Sequence, residues 1–315
     1  MGRYVVRRLI EAVPVLVLAS LLVFSLLHFI PGDPASALAD PEATQEEVQA
    51  LRERLGLDRP VLVQLKNWWL SLLQGDLGDS FRTGRPVSEM IRINALPTLE
   101  LATVSYMLTL TLGISFGVMA GVKVRSAWDW GVSLSTVVFI AIPNFVFGVV
   151  LLWLLAFTFG WLPIGGRVAI WDDPVAGIKT LILPALTLGL TQAAVLARYT
   201  RTAVSQVTQQ QYVMTARAKG LAERVVVVRH VLKNSLIPTI TLSGLQVASI
   251  LTGSVVIERV FSRPGLGRVV VDSVQARDIP TIQGTLLVLV SVFILVNLIA
   301  DLLYGVVDPR IRLES

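Results

Sequence analysis

TLELATVSYMLTLTLGISFGVMAGV, residues 98–122, decides the fold. Its one charge, Glu100, stands at the start, and the remainder exceeds the roughly 20 apolar residues that a helix needs to cross a bilayer. Gly113, Gly117 and Gly121 recur at four-residue spacing, which puts them on one helical face. Small residues in register let a second backbone approach closely. In lipid, where apolar side chains gain little from one another, such close packing holds helices together. The stripe predicts packing inside a bundle rather than the wall of a pore.

Comparable runs lie on both sides, at about 9–30, 132–159, 180–197, 236–257 and 282–306, which makes six spans. The composition agrees: of 315 residues 54% are hydrophobic and 16% charged, far more apolar than a soluble chain of this length. Ala185, Gly189, Ala193 and Ala197 form a second four-residue stripe, in the fourth span. Pro14 and Pro143 are expected to kink the first and third spans unless neighbouring helices compensate. The expected fold class is an all-α membrane protein.

The net charge of +5 orients these spans and does not point to nucleic acid. Arg3, Arg7 and Arg8 precede the first span, and Lys123 and Arg125 follow the second. Arg198, Arg201, Arg217, Lys219, Arg224, Arg229 and Lys233 lie between the fourth and fifth, and Arg310 and Arg312 follow the sixth. Basic residues concentrate in cytoplasmic segments, so both termini are expected inside, in keeping with an even number of spans. Arg7-Arg8, the first apolar run and Ala35-Ser36-Ala37 also resemble a cleavable secretory signal. The run has the length of a span, however, and the small-residue site falls beyond Pro31-Gly32-Asp33-Pro34, so a retained first helix is expected.

The chain then divides into an N-terminal segment with the first helix (1–30), a helical periplasmic insertion (31–97) and a five-helix core (98–315) carrying a cytoplasmic loop (198–235). In the insertion, Thr44-Gln45-Glu46-Glu47 is a capping box that starts a helix ending near Gly56. A second helix, from about Pro60, carries Trp68 and Trp69, a pair suited to lying on the bilayer or on the bundle.

Missing chemistry narrows the function. Zero cysteines exclude thiol catalysis, disulfides and thiolate metal sites, and the two histidines, His28 and His230, stand far apart in the chain. There is no nucleophile elbow, no His-Glu-x-x-His motif, no membrane-facing Asp pair and no Walker A loop. The chain is therefore expected not to be an enzyme and to bind no metal or cofactor itself; nucleotide energy would have to come from a partner. Glu11, Glu100 and Asp301 fall near span ends. Capping or pairing between helices accounts for them better than a mid-membrane proton relay does. Asn297 and Asp301 share a helical face. A stand-alone ion-coupled carrier and a membrane scaffold stay open as alternatives.

In the loop, Tyr212-Val213-Met214-Thr215-Ala216-Arg217-Ala218-Lys219-Gly220-Leu221 reads as a short, Ala-rich, basic helix that Gly220 ends in a left-handed turn. Small and basic residues can seat in a groove of another protein and, tied to two spans, move both as a lever. A basic juxtamembrane loop drawn to anionic lipid is an equally good account of these residues taken alone.

The run from Tyr212 through Thr215-Ala216-Arg217-Ala218-Lys219-Gly220-Leu221 to Asn234-Ser235-Leu236-Ile237-Pro238 resembles the cytoplasmic loop of binding-protein-dependent ABC importer permeases. More narrowly, it is similar to the dipeptide/oligopeptide/nickel group. Pro31-Gly32-Asp33-Pro34 matches the same group, as does Gly75-Asp76-Leu77-Gly78-Asp79-Ser80 with Arg85-Pro86-Val87. So do Phe261-Ser262-Arg263-Pro264-Gly265-Leu266-Gly267-Arg268, and Asp301-Leu302-Leu303-Tyr304 running into Asp308-Pro309-Arg310-Ile311-Arg312. The resemblance thus spans the chain. The wider loop pattern of these permeases has Glu-Ala-Ala, three residues and Gly; here Met214 stands at the Glu position and Thr215 at the first Ala, a departure common in the peptide-type group.

The resemblance implies the first of two homologous permease subunits, paired in a bacterial inner membrane around one path for peptides or peptide-like solutes. It implies two cytoplasmic ATPase subunits, which bind ATP and Mg and dock on the coupling helix through Tyr212, Thr215, Ala216, Arg217, Lys219 and Gly220. It also implies an extracytoplasmic substrate-binding protein that delivers and largely selects the cargo. Gln246, Ser249 and Gly253, a small polar stripe in the fifth span, are candidates for the path, with hydrogen bonding between helices an equal alternative. Phe261, Pro264, Gly265 and Gly267, around a Pro-Gly-Leu-Gly turn, are candidates with Arg277-Asp278-Ile279-Pro280 for the outer gate or the footprint of the binding protein.

Overall fold

The structure, a computed structural model, describes residues 2–29, 35–36, 39 and 42–307, the side chains of 2–7, 26–29 and 300–307 excepted. Pro31-Gly32-Asp33-Pro34, Ala37, the Asp308–Arg312 motif and the side chains of Arg3, Arg7, His28 and Asp301 lie outside the described residues. The elements are α1 (Gly2–Phe29), α2 (Gln45–Arg54), α3 (Val61–Leu73), α4 (Val87–Val122), α5 (Ala127–Ala141) and α6 (Asn144–Leu151). They continue with α7 (Pro174–Thr208), α8 (Gln211–Ala218), α9 (Lys233–Val260), α10 (Leu266–Ala276) and α11 (Ile279–Val307). π-Helical stretches extend α6 over Leu152–Thr158 and lead into α9 over Val226–Leu232. No strand element occurs among the described residues.

Helices α1, α4, α7, α9 with its lead-in, and α11 are each long and apolar enough to cross a membrane. The third expected span is instead the pair α5 and α6, bent by 103°. Pro143 disfavours helical backbone in the residue before it and cannot donate to the ladder, and Ile142 is extended (φ −91°, ψ 123°), so the helix breaks where a kink was expected.

The chain forms two compact units, one built around Pro97–Arg263 and the other from Arg8–Leu96 and Pro264–Ile294. In the first unit α4 and α7 are in backbone contact. A Cβ on Gly113, Gly117 or Gly121 would stand 2.8, 2.5 or 2.7 Å from the Cβ of Leu196, Thr200 or Val204. The order of these pairs makes α4 and α7 parallel. Ala185, Gly189, Ala193 and Ala197 are all buried, and the Thr109 hydroxyl donates to the Gly189 carbonyl at 3.2 Å. Both stripes are therefore packing surfaces.

Two parallel neighbours need a chain that runs back between them, and α5–α6 is that chain. Asp129 pairs with Arg201, the Thr136 hydroxyl reaches the Ala194 carbonyl, Gly148 lies against Thr187 and Ile170 against Gly177. These contacts climb α7 from one end to the other, and with the bent pair taken as one span the described residues hold up to six segments long and apolar enough to cross a membrane. Helix α9 runs opposite to α4: Ser243 meets Tyr106 near the middle, and Glu258 meets Thr98 at the end.

Helix α7 outruns the expected span at both ends. Asp173 caps it, accepting from the Val175 and Ala176 N–H groups, and Pro174 fits the first turn, where its missing donor costs nothing. The far end continues to Thr208 because Thr200 and Val204 pack on the α4 glycines and Arg201 is held by Asp129. Much of the expected loop 198–235 is accordingly helical.

In the second unit the capping box at Thr44 forms as expected: Glu47 N–H donates to the Thr44 hydroxyl and Thr44 N–H to the Glu47 carboxylate. Helix α3 packs on α1 through Trp69, whose indole N–H donates to Ser20 at 3.2 Å, and Trp68, whose ring lies 5.7 Å from that of Phe24. Val87 and Ile91 of α4 cluster with Leu266 of α10.

Candidate functional site

Helix α8 is seated by its own apolar residues. Val213 (0% exposed) and Ala216 (6%) form a core with Val204, Val226 and Val231, flanked by Val118, Val122, Val207 and Leu232. Two polar ties fix its orientation. The Asn234 amide donates to the Tyr212 hydroxyl at 2.8 Å, and Arg217 donates twice to the Glu223 carboxylate, at 3.0 and 2.6 Å. That carboxylate raises Arg217 above its ordinary pKa. Lys219 ends the helix, and Gly220 takes the left-handed turn at φ +77° with open space where a Cβ would be. The demand at Gly220 is thus conformational within this chain.

Of the six residues expected to meet a partner, Tyr212, Thr215, Arg217, Lys219 and Gly220 share the exposed side, while Ala216 turns inward and holds α8 on the bundle. Met214, 55% exposed, stands on the outer side. It was missed because an apolar residue next to Ala reads as core until the helix is docked.

The small polar stripe of α9 separates. Gln246 is buried and donates to the Gln192 carbonyl at 3.0 Å, and Gly253 lies against Leu188 of α7; both are helix-packing residues here. Ser249 is exposed. Phe261 is buried against Gly148 and Gly165 in the first unit, whereas Pro264, Gly265 and Gly267 belong to the second.

The sequence led to the expectation that Glu100 is capped or paired, but neither its partners nor a second polar cluster was legible. In the first unit, the Glu100 carboxylate accepts from Arg167 Nη2 (2.6 Å) and Nε (2.9 Å) and from Arg263 Nη2 (2.9 Å). Arg263 is 1% exposed, and its Nε and Nη1 have no protein hydrogen-bond partner among the described residues. Burial pushes its pKa down, and the Glu100 charge counters. Beside it the buried Glu258 accepts from the Thr98 hydroxyl at 2.6 Å. In the second unit, Asp278 accepts from the Ser80 hydroxyl (2.6 Å), the Phe81 N–H (2.9 Å) and the Thr281 hydroxyl (2.7 Å), joining two segments that the sequence showed only as separate motifs. Among the described residues, no group of three His, Asp or Glu side chains could hold a metal ion.

Five membrane-length helices and a bent pair, buried small-residue seams and a short helix presented between two spans define a polytopic helical membrane subunit. Residues 113–313 match the family described as binding-protein-dependent transport system inner membrane component, and residues 1–102 match its N-terminal region. The chain belongs to that family: it is a multi-pass inner-membrane permease subunit of an ABC importer, of the peptide type. A protein of Brucella abortus (strain 2308) named as a peptide transport system permease is 38% identical over 100% of both chains. The glutathione transport system permease protein GsiC of Salmonella typhimurium is 42% identical over 99% of both. An inward-facing structure of the MetNI methionine ABC transporter shares the fold at a TM-score of 0.57 and 18% identity, covering 70% of this chain and 97% of that one.

Proposed function

We propose that this chain forms half of a translocation path for peptides or peptide-like solutes and couples it to ATP hydrolysis through α8. The carrying observation is that α8 is locked between α7 and α9 by the Val204–Val213–Ala216–Val226–Val231 core while its other side stays free. A push on that side reaches two spans at once. Two ATPase subunits would dock there, a second homologous permease would complete the path, and an external binding protein would deliver cargo. In this reading both termini and α8 face the cytoplasm, 31–97 lies outside, and 98–315 is the permease core. Thr215, Arg217, Lys219 and Met214 would meet the ATPase groove, with Tyr212 bracing the helix. The peptide and glutathione systems to which the relatives belong support the cargo class. Ser249 is the candidate of the α9 stripe for the path, and the turn from Phe261 to Gly267 for the outer gate.

The test is ATPase activity of the assembled complex in nanodiscs, with and without loaded binding protein, for wild type and Gly220→Trp. Stimulation in wild type that Gly220→Trp abolishes in a fully assembled complex is expected. Stimulation that survives Gly220→Trp in an assembled complex would refute coupling through α8.

A further inference from the structure

We propose that Glu100, Arg167 and Arg263 are an ionic latch that closes the outer end of the path. The inference rests on the orientation and coupling given under the proposed function. Three elements meet on one carboxylate: α4 supplies Glu100, the segment before α7 supplies Arg167, and the turn after α9 supplies Arg263. The same two segments are clamped directly, Gly166 N–H donating to the Phe261 carbonyl at 3.0 Å.

Glu100 holds the closed form: its carboxylate accepts from both arginines, so its loss releases the segment before α7 and the turn after α9 together.

The helices reach the latch from α8. Helix α8 is bound to the far ends of α7 and α9, and these helices run back to Arg167 and Arg263 at the Glu100 end. Sliding of α7 past α9, driven at α8, would pull the two arginines in different directions off the carboxylate they share. Glu100 is thereby a positioning residue for the transport cycle.

The test uses the complete permease–ATPase complex in nanodiscs, made cysteine-free throughout; this chain already is. Ala169→Cys, at a buried site two residues from Arg167, reports opening through its labelling by a membrane-impermeant maleimide. Glu100→Gln should raise both the labelling rate and the ATPase rate without binding protein by roughly tenfold, the size of one lost charge-assisted hydrogen bond. Arg263→Met keeps the apolar stem, leaves Glu100 paired with Arg167 and Glu258 accepting from Thr98, and should give the same two increases. Unchanged labelling in both variants would overturn the latch. Loss of assembly without faster labelling of the surviving complexes would overturn it equally, because a merely structural ion pair behaves that way. If wild-type complex shows no stimulation by binding protein, the coupling reading has failed, a result separate from the variant comparison.

Discussion

Adding one methyl group at Gly117 should prise α4 from α7. The new Cβ would stand 2.5 Å from Thr200 Cβ and 2.7 Å from the Ala197 carbonyl oxygen. Ordinary contact begins near 3.4 Å, so the seam must widen by about 0.9 Å. Neither obstacle is the flexible end of a side chain, so the two backbones have to shift. Overpacking of that kind costs about 1–3 kcal/mol, which opposes the ~1 kcal/mol that Gly→Ala gains in an unobstructed helix. The clearances rank the sites: Gly117 (2.5 Å) should suffer most, then Gly121 (2.7 Å), Gly113 (2.8 Å) and Gly189 (3.0 Å). Gly131, with nothing within 4 Å of its Cβ position, is the control and should gain stability on Gly131→Ala. Thermal unfolding midpoints of the purified variants in one detergent supply the comparison, at about 2–4 °C per kcal/mol. A Gly117→Ala protein as stable as Gly131→Ala would show that α4 and α7 do not touch along this stripe.

Gly220→Ala should cost about 1–2 kcal/mol locally, since φ is +77° and a Cβ meets no neighbour there. Gly220→Asn should be milder, and hydrogen exchange at the α8 C-terminus reads the difference. Asp278→Ala removes the acceptor of Ser80, Phe81 and Thr281; a loss of about 2 kcal/mol is expected from the stranded donors. Asp278→Asn, which keeps one acceptor oxygen, should recover part of it in thermal unfolding. Glu47 is held below its ordinary pKa, first by the Thr44 backbone N–H and then by its hydroxyl. Its contribution to α2 is therefore complete above the unfolded-state pKa and disappears as pH falls through the lower folded value. Amide exchange in α2, corrected for intrinsic pH dependence, should quicken on acidification in wild type and not in Glu47→Gln.

Legibility followed distance along the chain. The capping box at Thr44, the helix start at Pro60 and the left-handed turn at Gly220 are written within a few residues, and all three occur. Pro143 was visible, yet the 103° break at this point, rather than a kink, was not. Helix α8 was recognisable from composition; which residues it would hide was not, because Val213 and Ala216 face a core assembled from α7 and the α9 lead-in.

By itself the sequence predicted six membrane-length segments held by close-packed helices, because lipid demands backbone hydrogen bonds satisfied within each segment and small residues wherever backbones touch. The tertiary structure decided that α4 and α7 run parallel with a broken helix returning between them. It decided too that Glu100 meets Arg167 and Arg263, 67 and 163 residues away. Neither arginine lies in a pattern that names a partner. A buried charge must be paired, but only the packed bundle determines which charges can reach one another.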